Sequence, residues 1–95
     1  ALPIYPSAAV CGTPTDKAAK VISEIEGISR GRYAGPVGWI DARGDGELGI
    51  ALRCGQITND SIRLYAGCGI VAGSDPEKEL AESEAKFSAM KSALA

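Results

Sequence analysis

The apolar positions of this chain follow two periods, and the change falls near Tyr33. Upstream of it, Ala18, Val21, Ile22 and Ile25 recur at i, i+3, i+4 and i+7, which is one face of a helix. Thr13 stands before Pro14 as an N-cap followed by proline at the first helical position, and Gly27 supplies a stop. The pattern predicts a helix over 14–26. The preceding segment, 1–12, is apolar and punctuated by Pro3 and Pro6, which favours extended backbone over helix.

Beyond Tyr33 the period shortens to two. Val37, Trp39 and Asp41 alternate with Gly38 and Ile40, and Asp45-Gly46 is a turn signal. The run 47–54 places Leu48, Ile50 and Leu52 on one face, with Gly49, Ala51 and Arg53 on the other. After a loop around 58–61, the run 62–66 predicts a third strand with Ile62 and Leu64 inward. Short connections make these strands an antiparallel meander. A closing helix is expected over 76–94, capped by Asp75 with Pro76 at N1 and with Leu80, Phe87, Met90 and Leu94 as its buried stripe. The expected fold is α+β: helix, three-stranded antiparallel meander, helix, with 1–95 forming a single, incomplete domain.

Composition narrows the function classes. At 95 residues, 45% hydrophobic and 23% charged, the chain has the makeup of one small globular domain. A net charge of −2 lacks the basic footprint of a nucleic-acid binder, so no nucleic-acid partner is expected. No apolar run approaches the roughly 18 residues of a membrane span, and no secretory pattern opens the chain, so no membrane partner is expected either. The absence of His removes His-based triads and the commonest zinc ligand. Cys11, Cys54 and Cys68 are odd in number and never spaced as CxxC, which points to free structural thiols of a cytoplasmic protein.

Three places can carry chemistry. On the last helix Glu79, Glu82 and Lys86 fall within about a 60° arc. Two carboxylates so placed suit a hard cation such as Mg2+, while the alternative is a solvated face with an i,i+4 Glu82–Lys86 pair. Arg53 ends a strand beside the small residues Gly49 and Ala51 and is suited to a carboxylate; a plain surface arginine is the alternative. Gly67-Cys68-Gly69-Ile70-Val71-Ala72-Gly73 leads from strand to helix, but its GxGxxxG spacing fits neither phosphate-loop nor dinucleotide fingerprint. It serves either close backbone approach to an anion or a tight strand exit. Tyr33, Trp39 and Tyr65 are too scattered for base stacking.

Taken in order, Ala9-Val10-Cys11-Gly12-Thr13-Pro14, Tyr33-Ala34-Gly35, Ile50-Ala51-Leu52-Arg53, Tyr65-Ala66-Gly67-Cys68-Gly69-Ile70-Val71 and Ser74-Asp75-Pro76-Glu77-Lys78-Glu79-Leu80-Ala81-Glu82 through Lys86 are more specific than any one of them. Together they resemble the C-terminal part of chorismate-utilising enzymes, above all isochorismate synthases of siderophore and menaquinone pathways. Salicylate synthases and anthranilate synthase component I are more distant relatives. The resemblance implies a chorismate substrate and an Mg2+ cofactor, with Glu82 and Glu79 as metal-side carboxylates. It also implies that Tyr33, Arg53, Lys86 and the Gly67 backbone contact substrate carboxylates. Ala9 occupies a position that tends to be Ala in isochorismate synthases and Thr in lyase-type relatives. Tyr5, Ala8 and Cys68 depart from the family's usual His, Pro and Ala. The family's general base Lys and general acid Glu are expected upstream, so the remainder of the enzyme is itself an expected partner. The implied activity is an isomerase of the hydroxymutase type. A non-catalytic binding or assembly module is the other class of function. Alone, the chain is expected to be inactive and to form a homo-oligomer.

Overall fold

The computed structural model describes residues 5–95. Pro3, which the sequence reading used for an extended start, lies outside the described residues. The chain divides into two compact units, one ending at Ala51 and one running from Leu52 to Ala95.

In the first unit Ser7 is extended. A single helical turn follows, α1 (Ala8–Cys11), with the amides of Val10 and Cys11 donating to the Ser7 carbonyl at 3.1 and 3.0 Å. This corrects the expectation of extended backbone through 12. Pro6 restricts itself and the residue before it, and nothing from Ser7 onward forbids a turn. Gly12 ends α1 at φ 79, and a Cβ there would stand 2.8 Å from that of Ala18, so glycine permits the close approach to the next helix. That helix is α2 (Thr15–Glu26), closed by Gly27 in the left-handed region. The N-cap is Pro14 rather than Thr13, and it supplies no side-chain cap. Its ψ of 134 keeps it extended, and the Thr15 hydroxyl reaches back to the Gly12 carbonyl at 3.3 Å.

A hairpin completes this unit. β1 (Pro36–Ile40) pairs antiparallel with β2 (Gly46–Ile50), Trp39 opposite Glu47 and Gly38 opposite Leu48. Its loop is closed by Asp41, whose carboxylate accepts from the amides of Arg43 and Asp45 at 2.9 and 3.0 Å. Gly44 supplies the positive φ, and Gly46 is already in β2, so the strand starts one residue earlier than the Asp45-Gly46 turn signal implies. Ala34 and Ala51 extend the pairing: the Ala34 amide donates to the Ala51 carbonyl at 2.9 Å, and the Ala51 amide to the Gly35 carbonyl at 2.8 Å. Ala34, 5% exposed, is the one buried hydrophobic residue among those described.

In the second unit β3 (Cys54–Thr58) pairs antiparallel with β4 (Ser61–Tyr65). Two two-stranded sheets therefore replace the expected three-stranded meander, while the α+β class holds. The alternation read over 47–54 runs past the true end of β2 at Ile50, and Arg53 breaks it with φ 44. Gly55 lies under Ile62, Leu64 and Met90: a Cβ there would meet their side chains at 3.1, 3.1 and 3.4 Å. The closing helix is interrupted once, giving α3 (Pro76–Lys86) and α4 (Ser88–Leu94) instead of one span over 76–94. At Phe87 the amide bonds to the Glu84 carbonyl, an i−3 contact that tightens the turn, and the Ser88 hydroxyl takes the Ala85 carbonyl at 2.8 Å. Among the described residues no helix is long and apolar enough to cross a membrane.

Candidate functional site

Helix α3 starts where the sequence says it should. The Asp75 carboxylate accepts from the amides of Glu77 and Lys78 at 2.9 and 3.2 Å, with Pro76 behind it needing no donor partner. The face it turns inward is not the expected one. Leu80 and Leu94 are 60% and 50% exposed, while Glu79, Ser83, Lys86, Phe87 and Met90 are half-buried. Of the expected apolar stripe, only Phe87, between the two helices, and Met90, on α4, are half-buried.

Polar contacts fix that rotation. The Lys86 ammonium donates to the Gly67 carbonyl at 2.9 Å and pairs with Glu82 Oε1 at 2.8 Å. One turn before Glu82, the Glu79 carbonyl accepts the Cys68 thiol at 3.4 Å. Burial first, then a side-chain hydrogen bond with Glu79 and the carboxylate charges of Glu79 and Glu82, push the Cys68 thiol up from its ordinary value, Lys86 opposing them. The thiol stays protonated and serves as a donor rather than a nucleophile. Gly67 faces Lys86 through its carbonyl.

The second unit thus joins Gly67, Glu82 and Lys86 directly, with Glu79 one turn away. Arg53 is in the same unit, exposed, and has left the strand on which the sequence reading put it beside Gly49 and Ala51. Its positive φ is strained for a residue with a Cβ, a feature that recurs where a side chain must be aimed. Glu79 and Glu82 lie one turn apart on α3, and among the described residues no three metal-binding side chains cluster. Oxygen donors of this kind suit a hard divalent cation that completes its shell elsewhere.

Ala9 and Tyr33 belong to the first unit, Ala9 exposed on α1 and Tyr33 half-buried. Beside them is a residue the sequence reading missed. Arg30 grips Glu26 through Nε and Nη2 at 2.9 and 2.6 Å, donates from Nη1 to the Val10 carbonyl at 2.8 Å, and lies 5.6 Å from the centre of the Tyr33 ring. The hydrogen bond to Arg30 holds the Glu26 carboxyl below its usual value of 4.5, against a smaller opposing effect of burial. The i,i+4 spacing of Glu26 and Arg30 was the available signal. Tyr5 also finds a role, its hydroxyl donating to the Ala34 carbonyl at 2.7 Å.

The family profile described as "Chorismate binding enzyme" matches residues 3–95. Over 91 residues the chain is 52% identical to isochorismate synthase DhbC of Bacillus subtilis, covering 96% of this chain and 23% of that protein. It is 48% identical over 91 residues to isochorismate synthase MenF of the same organism, covering 96% and 19%. A crystal structure described as a 2,3-dihydroxybenzoate-specific isochorismate synthase, DhbC from Bacillus anthracis, aligns with a TM-score of 0.94 at 46% identity, over 98% of this chain and 25% of that one. The chain spans about a quarter of the length of the relatives it matches.

Proposed function

The chain belongs to the chorismate-binding enzyme family, and on that premise we propose that it is the metal- and substrate-binding portion of a cytoplasmic isochorismate synthase that converts chorismate to isochorismate. The product would feed siderophore or menaquinone synthesis. The observation that carries this reading is the Lys86 ammonium held between the Gly67 carbonyl and Glu82. It puts a cation and a carboxylate side by side on a helix whose neighbouring turn offers a second carboxylate, Glu79. Chorismate is a dianion, and such a surface suits an anion that arrives with a divalent cation.

In this reading Glu82, with Glu79 beside it, would hold Mg2+. When bound, the ion would polarise and orient a substrate carboxylate as a Lewis acid. Lys86 would turn from Glu82 toward that carboxylate. Arg53 would grip a substrate carboxylate with its planar fork, and Tyr33 would donate its hydroxyl to a carboxylate of the substrate. The base and acid that move protons at the ring would come from the remainder of the enzyme.

The test is Glu82→Gln in the full-length enzyme. It keeps side-chain size and removes the charge, so Mg2+-dependent turnover should fall at least about a hundredfold with the fold intact. Wild-type activity and metal dependence would overturn the metal assignment. Chromatography of the parent's product separates the reaction classes, since salicylate or anthranilate as the main product would replace isochorismate synthase with one of its relatives.

A further inference from the structure

Arg30 carries more contacts than its place in a surface loop requires. It follows α2 at the point where the chain turns back: Gly31 takes φ 57, its amide donates to the Ser29 hydroxyl at 3.2 Å, and the Tyr33 amide donates to the Arg30 carbonyl at 2.9 Å. That turn brings the Tyr33 ring under the guanidinium of Arg30 itself, at 5.6 Å. The same guanidinium is anchored by Glu26 through two parallel hydrogen bonds. Its remaining edge reaches 20 residues back along the chain to the Val10 carbonyl.

The Val10 contact matters because of what α1 is. A helix of 4 residues is far too short to hold itself, and its last carbonyls have no partner within it. The Gly12 amide takes the Ala8 carbonyl at 2.9 Å, and Arg30 takes that of Val10, the residue next to Ala9. One planar group therefore fixes both the turn that presents Ala9 and the ring of Tyr33.

We propose that Arg30 is a positioning residue for substrate binding, its guanidinium locking the α1 turn and the Tyr33 ring into one arrangement. This rests on the reading of Ala9 and Tyr33 as substrate contacts. Lysine cannot replace it, because one ammonium cannot hold Glu26 in parallel fashion while reaching the Val10 carbonyl and covering the ring.

The test is a double-mutant cycle in the full-length enzyme with Arg30→Gln, Tyr33→Phe and their combination, read as KM for chorismate and kcat, with thermal melts alongside. Arg30→Gln should raise KM about tenfold and leave kcat within about twofold, as for loss of binding alone. Because Arg30 acts in part through Tyr33, the KM rise of the double variant should fall well short of the product of the two single rises. A product of independent effects, or a KM unmoved by Arg30→Gln where Tyr33→Phe raises it, overturns the proposal. A KM unmoved by Tyr33→Phe overturns instead the reading of Tyr33 as a substrate contact. Should Arg30→Gln fail to fold, Arg30→Lys carries the test: a several-fold rise in KM at retained kcat supports the role, and parental kinetics sink it.

Discussion

At the scale of single residues, Lys86 and Glu82 are in competition with whatever either would bind. The ammonium is 2.8 Å from Glu82 Oε1, with Lys86 22% and Glu82 55% exposed at the side chain. A divalent cation approaching that oxygen meets a like charge already in place. Replacing Lys86 by Met in the full-length enzyme should therefore tighten Mg2+ binding several-fold, while chorismate KM rises because a substrate cation is lost. Calorimetric titration of Mg2+ without substrate reads the first effect separately from turnover. An unchanged Mg2+ affinity would mean that the pair does not guard the carboxylate. The i,i+4 spacing of these two residues announced their pairing, and the cap at Asp75 was equally plain. The contact of Lys86 with Gly67 was not legible, since it joins residues 19 apart through a backbone carbonyl that has no sequence signature.

At the scale of elements, α2 ends in a tension that Arg30 relieves. Glu26 places a negative charge at the negative end of the helix dipole, and the guanidinium four residues on neutralises it. Since pairing holds the folded Glu26 carboxyl below 4.5, its contribution to stability is fully present above that value and is lost as pH falls through the lowered folded value. With the Glu26 side chain 35% exposed, solvent screening limits that contribution to below about 1 kcal/mol. Glu26→Gln in the full-length enzyme should melt slightly below the parent at pH 7, and the gap should close as pH drops below 4.5. A gap that persists in acid would assign the difference to packing instead. Element type was legible where one period ran unbroken, as in α2 and β1. It was lost where alternation continued by coincidence. Leu52 extends the pattern of Leu48 and Ile50 although the strand has ended, and β3 was missed because Gly55 and Gln56 are weak strand formers. The two residues Asn59 and Asp60, between Thr58 and Ser61, were the overlooked hairpin signal. The rotation of α3 was illegible for a different reason. Its inward face is set by hydrogen bonds to the loop after β4, so Leu80, the apolar choice, points outward.

At the scale of the whole molecule, the chain displays most of the apolar surface its sequence reserves for a core. Every residue of β1 and β2 is exposed, and Ile57 on β3 is 78% exposed. Of the inner positions Leu48, Ile50, Leu52, Ile62 and Leu64, expected to be covered by the two helices or by another copy of the chain, all but the half-buried Leu64 are exposed. Two-stranded sheets are marginal in water, and each presents open edges able to pair with another strand. A chain of this size with so small a core needs further surface to be stable. In relatives four times as long, the remaining three quarters are available to supply it. Expressed alone, these 95 residues should therefore self-associate through strand edges or apolar faces, and should not convert chorismate. Multi-angle light scattering over a concentration series tests the first statement, and a chorismate turnover assay with Mg2+ tests the second. A stable monomer at high concentration would show that the exposed faces tolerate water. Isochorismate formation by the isolated chain would show that its own Glu, Lys and Arg side chains supply the proton transfers assigned here to the rest of the enzyme.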